Sequence, residues 1–258
     1  MTVAASRLTA VVVPTLGRRP EYLELSLQSI RDAGDAYIVM VAPASFDASG
    51  LVADGLIDKK VDETGKTLPD AINQGFASLP ADIRYIAWLG DDDVLRPGSL
   101  VTTTEFLENH PKSSVVYGSC DYIDESGAVL WTNRSGPWAA PLLRVGPDLI
   151  PQPGSLFRRS AFDSAGGLRT DLGWAFDLDI FLRLAQFGRL SYVRRTLAAF
   201  RWHAESLSVG QRDHSVREAS QVRREFLPAW IRPVSAVWER PVRWATVRAG
   251  DVVGGRRK

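Results

Sequence analysis

Three consecutive carboxylates, Asp91, Asp92 and Asp93, close the run Trp88-Leu89-Gly90-Asp91-Asp92-Asp93. Adjacent anions repel one another and Asp is a poor strand former, so folding alone gives no reason for the cluster. A hard divalent cation supplies one: Mg2+ and Mn2+ prefer carboxylate oxygens and are commonly shared between one or two Asp side chains and substrate phosphates. The competing use is a solvated acidic turn that caps a helix beginning near Pro97. Other polar and aromatic candidates divide in the same way. Arg158, Arg159 and Arg183 suit an anionic ligand, or ordinary ion pairs. Trp131, Trp138 and Trp174 suit stacking on a ring-shaped ligand, or buried packing.

The elements that carry these residues read as alternating strand and helix. Ala10 to Val13 is a β-branched run ending at Pro14, the pattern of a buried parallel strand. Pro20 then opens a helix with Leu23, Leu27 and Ile30 on one face, closed by Gly34. Tyr37–Val41 and Ile57–Val61 read as strands, and Leu68, Ile72, Phe76 and Leu79 line another helix. Arg84–Leu89 is a fourth strand, which delivers the Asp triplet. This alternation predicts an α/β fold with a mostly parallel sheet, in which ligands bind at the carboxyl ends of the strands. The loops after Val13 and after Leu89 both lie on that edge. From Ser114 the pattern becomes that of a hairpin, with strands at Val115–Tyr117, Tyr122–Ile123 and Ala128–Trp131. A Pro-rich connection from Leu130 to Pro153, a short helix at Arg159–Ala165, a helix at Phe176–Phe187 and a strand at Leu190–Phe200 follow.

The 258 residues are 45% hydrophobic, enough for a full core and against disorder, and the single cysteine, Cys120, leaves stability to packing. No apolar run reaches membrane-spanning length, and Leu8–Leu16 does not read as a signal peptide. Net charge is +1, with 31 Lys+Arg and 30 Asp+Glu. Gln211–Lys258 holds 11 basic and five acidic residues, so a +6 tail follows a −5 body. Its interleaved Trp and Arg suit an anionic membrane surface, or a helical appendage packed on the body or on a second copy of the chain. The acidic body argues against nucleic acid.

The segments Val11–Thr15, Asp70-Ala71-Ile72-Asn73-Gln74-Gly75 and Trp88–Gly98 resemble the nucleotide-sugar-binding half of family 2 glycosyltransferases with the GT-A fold. Gln152–Arg159, Gly166-Gly167-Leu168 and Asp177–Leu184 resemble that family's acceptor half, in order. The resemblance implies a mostly parallel Rossmann-like sheet over about 8–113, joined to a smaller mixed half over 114–208. Together these form a domain over 1–208, followed by a basic helical extension over 209–258. It implies that Asp91 and Asp93 bind Mn2+ or Mg2+ and that Asp92 faces the ribose or donor sugar. Pro14, Thr15 and Arg18 lie in the loop that cups the nucleotide, and Asp62, Lys66 and Asp70 lie where base or diphosphate is contacted. Asp177 corresponds to the general base, with Asp179 as its internal competitor, and His203 to a position near the metal or diphosphate. Where relatives carry an Asp after the second strand, this chain has Ala42-Pro43-Ala44, and Phe176 replaces an acid.

The implied activity is inverting transfer of one sugar from a UDP-, dTDP- or GDP-sugar to a hydroxyl of a glycan or lipid-linked acceptor. The expected location is cytoplasmic, with peripheral contact at the inner face of a membrane, or self-association, as possible uses of the tail. Two rivals stand beside it. A sugar nucleotidyltransferase shares the α/β plan but needs more glycine after the first strand than Pro14–Arg18 offers. A non-catalytic nucleotide- or glycan-binding protein is made conceivable by Ala42.

Overall fold

A computed structural model describes residues 7–202 and 212–232. The first half builds β1 (Thr9–Pro14), α1 (Pro20–Ala33), β2 (Tyr37–Ala42), α2 (Ser49–Ala53), β3 (Lys59–Asp62), α3 (Leu68–Ala77) and β4 (Tyr85–Trp88). Next come β5 (Val94–Leu95), α4 (Ser99–Asn109), β6 (Ser113–Ile123), β7 (Val129–Asn133) and α5 (Ala139–Leu142). The described chain ends with β8 (Leu156–Arg158), α6 (Arg159–Ser164), α7 (Phe176–Leu184), β9 (Arg189–Arg201) and α8 (Arg212–Phe226).

The described strands join one sheet in the order β3-β2-β1-β4-β8-β6-β9-β5, with β7 on β6. Strands β3, β2, β1 and β4 run parallel, as do β6 and β9, whereas β8, β5 and β7 pair antiparallel. The sheet is therefore mixed but mostly parallel, as its sequence pattern predicts. Two segments read as separate short strands, Val115–Tyr117 and Tyr122–Ile123, form one continuous strand, β6. It is long because three neighbours share it: β8 along its start, β7 along its end and β9 on the opposite edge.

Alternation along β1 divides the core in two. Val11 and Val13 pack with Leu23, Leu27 and Ile30 of α1 and Leu100 and Leu107 of α4. Ala10 and Val12 face Ile72 and Phe76 of α3, together with α6 and α7. A Cβ on Gly75 would lie 2.5 Å from Val12 Cγ1, so glycine lets α3 approach the sheet this closely. Helix α3 is started by a capping box, in which Thr67 and Asp70 bond each other's backbone amides.

Helix α8 belongs to the same core: Val222 is fully buried there, and Ala219 and Phe226 pack against it. No helix among the described residues is long and apolar enough to cross a membrane. The tail beyond Arg232, with most of its Trp and Arg residues, lies outside the described residues.

Candidate active site

The loop after β1 and the loop after β4 meet at the carboxyl edge of the sheet, because β1 and β4 are parallel neighbours in register. Thr15 Oγ1 donates to Asp91 Oδ2 and accepts from Gly17 N at 2.9 Å. Gly17 has φ +68°, and a Cβ there would strike the Phe46 ring at 2.5 Å, so only glycine fits this turn. Pro14 ends β1 in a buried position, and Arg18 is exposed. The neighbouring Arg19 is the one that reaches the triplet, with Nη1 at 3.3 Å from Asp92 Oδ2.

Asp93 is only 4% exposed. Its Oδ1 accepts the backbone amide of Arg201 at 2.9 Å. Arg201 is equally buried, and its guanidinium donates to the carbonyls of Asp92 (3.0 Å), Asp124 (2.9 Å) and Glu125 (3.0 Å). Burial, with repulsion from Asp92, pushes the Asp93 carboxyl well above the usual range. Burial also raises Asp91, against the Thr15 bond that lowers it. Two carboxyls thus resist ionisation at this edge unless a positive charge joins them. Hard oxygen donors in this state suit a divalent cation. Among the described residues no three His, Cys, Asp or Glu side chains gather into a metal cage, so an ion here would draw further ligands from a bound diphosphate.

The other donor-side candidates take more local roles. Asp70 Oδ2 accepts Lys66 N, Thr67 N and Thr67 Oγ1 at 3.1, 3.0 and 2.8 Å, and these bonds hold its carboxyl below the usual range. Lys66 is exposed beside it. Asp62, exposed at the end of β3, pairs with Lys60. None of the three is brought against the Asp triplet by a bond among these contacts.

The early and late motif segments are joined directly. Asn73 exchanges two bonds with Leu168, Nδ2 to the carbonyl at 2.8 Å and Oδ1 from the amide at 2.9 Å. Gly167, with φ +76°, permits this, since a Cβ would sit 3.1 Å from Asn73 Oδ1. Gln152 Nε2 donates to the Trp88 carbonyl at 2.9 Å, tying the end of the Pro-rich connection to the strand that carries the triplet. Arg158 and Arg159 are structural: they donate to the carbonyls of Ser113, Leu107 and Pro80.

Asp177 and Asp179 open α7 and face different environments. Asp179, 1% exposed, is paired with Arg183 one turn on and lies 3.6 Å from Arg169. Asp177 is half-buried and accepts Leu178 N at 2.7 Å. Burial pushes its carboxyl up to about 6, with the Glu218 charge adding to the shift. A carboxylate unremarked in the sequence lies nearby. Asp148, in the Pro-rich connection, is pushed up to about 8, first by burial and then by the charge of Asp177. Asp177 ionises first, and its charge keeps the second proton on Asp148. Only its placement in a long loop could have drawn attention to Asp148. Arg201 was legible only as the neighbour of His203, which itself lies outside the described residues.

This curled, mostly parallel sheet, with acidic residues at the carboxyl edge of its β3-β2-β1-β4 part, has the GT-A fold of glycosyltransferases. The sequence model for glycosyl transferase family 2 matches residues 10–165, and the chain belongs to that family. Among solved structures it is similar to residues 1–349 of S. aureus TarS, with TM-score 0.58 and 10% identity over 97% of this chain and 92% of that one. It is also similar to the mannosyltransferase PcManGT of Pyrobaculum calidifontis, solved with GDP-Man and Mn2+ (TM-score 0.59, 17% identity, 96% and 76% covered). An uncharacterized protein of Sinorhizobium fredii, y4gI, is 27% identical over 146 residues, 55% of this chain. The aligned part spans 16% of that longer protein.

Proposed function

We propose that the chain transfers one sugar from a nucleotide-sugar to a hydroxyl of a glycan or lipid-linked acceptor, inverting the anomeric centre. The observation that carries this reading is the pair of carboxyls, Asp91 and Asp93, raised by burial at the sheet edge beside the Thr15 loop. Asp91 and Asp93 hold Mn2+ or Mg2+, and Asp92, steadied by Arg19, faces the ribose or donor sugar. When bound, the cation supplies Lewis-acid stabilisation of charge on the departing diphosphate. Pro14, Thr15 and Arg18 line the nucleotide loop, with Asp62, Lys66 and Asp70 toward base or diphosphate, and His203 is a further ligand candidate.

Asp177 is the general base. The acceptor oxygen attacks the anomeric carbon, the bond from that carbon to the phosphate oxygen breaks, and the hydroxyl proton passes to Asp177. Asp177 is favoured over Asp179 because the latter is spent on Arg183. A base that ionises near 6 is charged, yet still basic, at neutral pH. The domain extends over 1–208. From the segment 209–258, α8 packs on that domain's core, and the basic residues of the remainder suit a membrane face or a second copy.

The test is a thermal-shift panel of UDP, dTDP, GDP and their sugars with and without Mn2+, since a ligand stabilises through its preference for the native state. At least one nucleotide should raise the melting temperature, and further with metal. Asp177→Asn should then abolish transfer while keeping that shift. No shift with any nucleotide would sink the reading.

A further inference from the structure

Three aromatic side chains stand level on adjacent strands. Tyr122 of β6 is paired with Trp131 of β7 and with Phe200 of β9. The Tyr122 and Trp131 rings stack at 4.3 Å and 15°, and Phe200 meets Tyr122 at 5.4 Å and 58°. The Trp202 and Trp131 rings meet in a T-shaped pair at 5.3 Å and 71°. The row continues toward the acidic triplet. Strand β5 pairs Val94 with Ala199, so Asp93, one residue earlier, comes level with Phe200, and its carboxylate takes the next amide, that of Arg201. At about 4.8 Å between strands, the row runs about 15 Å outward from Asp93 to Trp131. At its far end Asn133 donates to the Leu149 carbonyl at 3.3 Å, fastening β7 to the loop that carries Asp148.

These rings are unlike the core aromatics. Trp88 and Phe157 also stack, but at 4% and 0% exposure. Trp131, Tyr122 and Phe200 are each half-buried, and Val129 and Leu130 beside them are 55% and 39% exposed. A pyranose ring offers a C–H face to an aromatic ring and hydroxyls to polar neighbours, and here the aromatic rings lie between Asp93 at one end and the loop that carries Asp148 at the other.

We propose that Trp131, backed by the Tyr122 ring stacked on it, forms a stacking subsite for a pyranose ring of the acceptor. The assignment rests on the glycosyltransferase reading. The acceptor, not the donor, is the occupant because the triplet end of the row is taken by the donor diphosphate, and Trp131 lies three strands beyond it.

Methyl glycosides of glucose, galactose, mannose and N-acetylglucosamine, titrated into the full chain with Mn2+ and UDP, dTDP or GDP and followed by saturation-transfer NMR, test this. At least one should bind the unaltered chain. Trp131→Ala and Trp131→Leu should weaken it by about tenfold or more, and Trp131→Phe by about threefold or less, because Phe keeps a ring face that Leu lacks. Thermal melts identify the variants that fold, and Trp131→Leu retains apolar packing if Trp131→Ala does not. Binding unchanged in the Leu variant, or no glycoside bound by the unaltered chain, overturns the subsite. Loss of the nucleotide shift in the unaltered chain is a different failure, that of the glycosyltransferase reading.

Discussion

The carboxylate of Asp93 accepts the backbone amide of Arg201 at 2.9 Å, linking positions 108 residues apart in the chain. The bond fixes the last residue of β9 against the loop after β4, so that the triplet and the strand leading toward His203 share one rigid edge. Asp93→Asn keeps the Oδ1 acceptor and removes a charge that burial disfavours. The metal-free variant should melt no lower than the unaltered chain at about pH 8, while losing the Mn2+-dependent part of the nucleotide shift. A metal increment that survives in both Asp93→Asn and Asp91→Asn would remove the triplet from the metal site.

Burial lifts Asp177 to about 6 and Asp148 to about 8, both above their unfolded values of roughly 3.9. The folded chain therefore holds more protons than the unfolded one between about pH 4 and about pH 8, and stability falls as pH rises through that window. Asp148→Asn should flatten the upper part of the fall. Urea denaturation across the window measures both, and stability rising with pH would contradict them. Transfer should decline below about pH 6, where the proposed base becomes protonated.

Glu218 of α8 accepts the amides of Gly173, Trp174 and Ala175 at 3.0, 2.7 and 2.6 Å, just ahead of α7. Glu218→Ala leaves those donors unmet and should cost about 2 kcal/mol, read by chemical denaturation. Hydrogen exchange at 173–175 should quicken. Because the Glu218 charge raises Asp177, the acid limb of the transfer profile should move to lower pH in Glu218→Gln. A limb that stays in place would show that the charge is not felt.

Asn73→Ala breaks both bonds to Leu168 and should cost about 1–3 kcal/mol. Asn73→Asp keeps the Oδ1 acceptor but sets a second, charged acceptor against the Leu168 carbonyl, so it should cost at least as much as Asn73→Ala. Equal stability of all three chains would mean that the two halves are held elsewhere.

The βαβ half was legible because its signals are local. Buried β-branched runs, Pro20 and Pro69 at helix starts, and apolar residues one turn apart all act within a few residues of where they stand. The ordered motif segments carried the family in the same way. Less legible were the two-residue strand β5, whose existence depends on β9 more than 100 residues later, and α8, whose Val222 has a core to enter only once α7 is in place.

The sequence by itself determined the fold class, the carboxyl edge on which the Asp triplet stands and the order of the family's motif segments, because periodicity and turn chemistry are written locally. Only the tertiary structure decided between neighbours. Arg19 rather than Arg18 meets Asp92, Asp179 is occupied by Arg183 while Asp177 is not, and Asp148 joins Asp177. Each of these depends on which side of a loop or helix faces a distant partner, and on the burial that contact produces. Composition and spacing along the chain do not encode either.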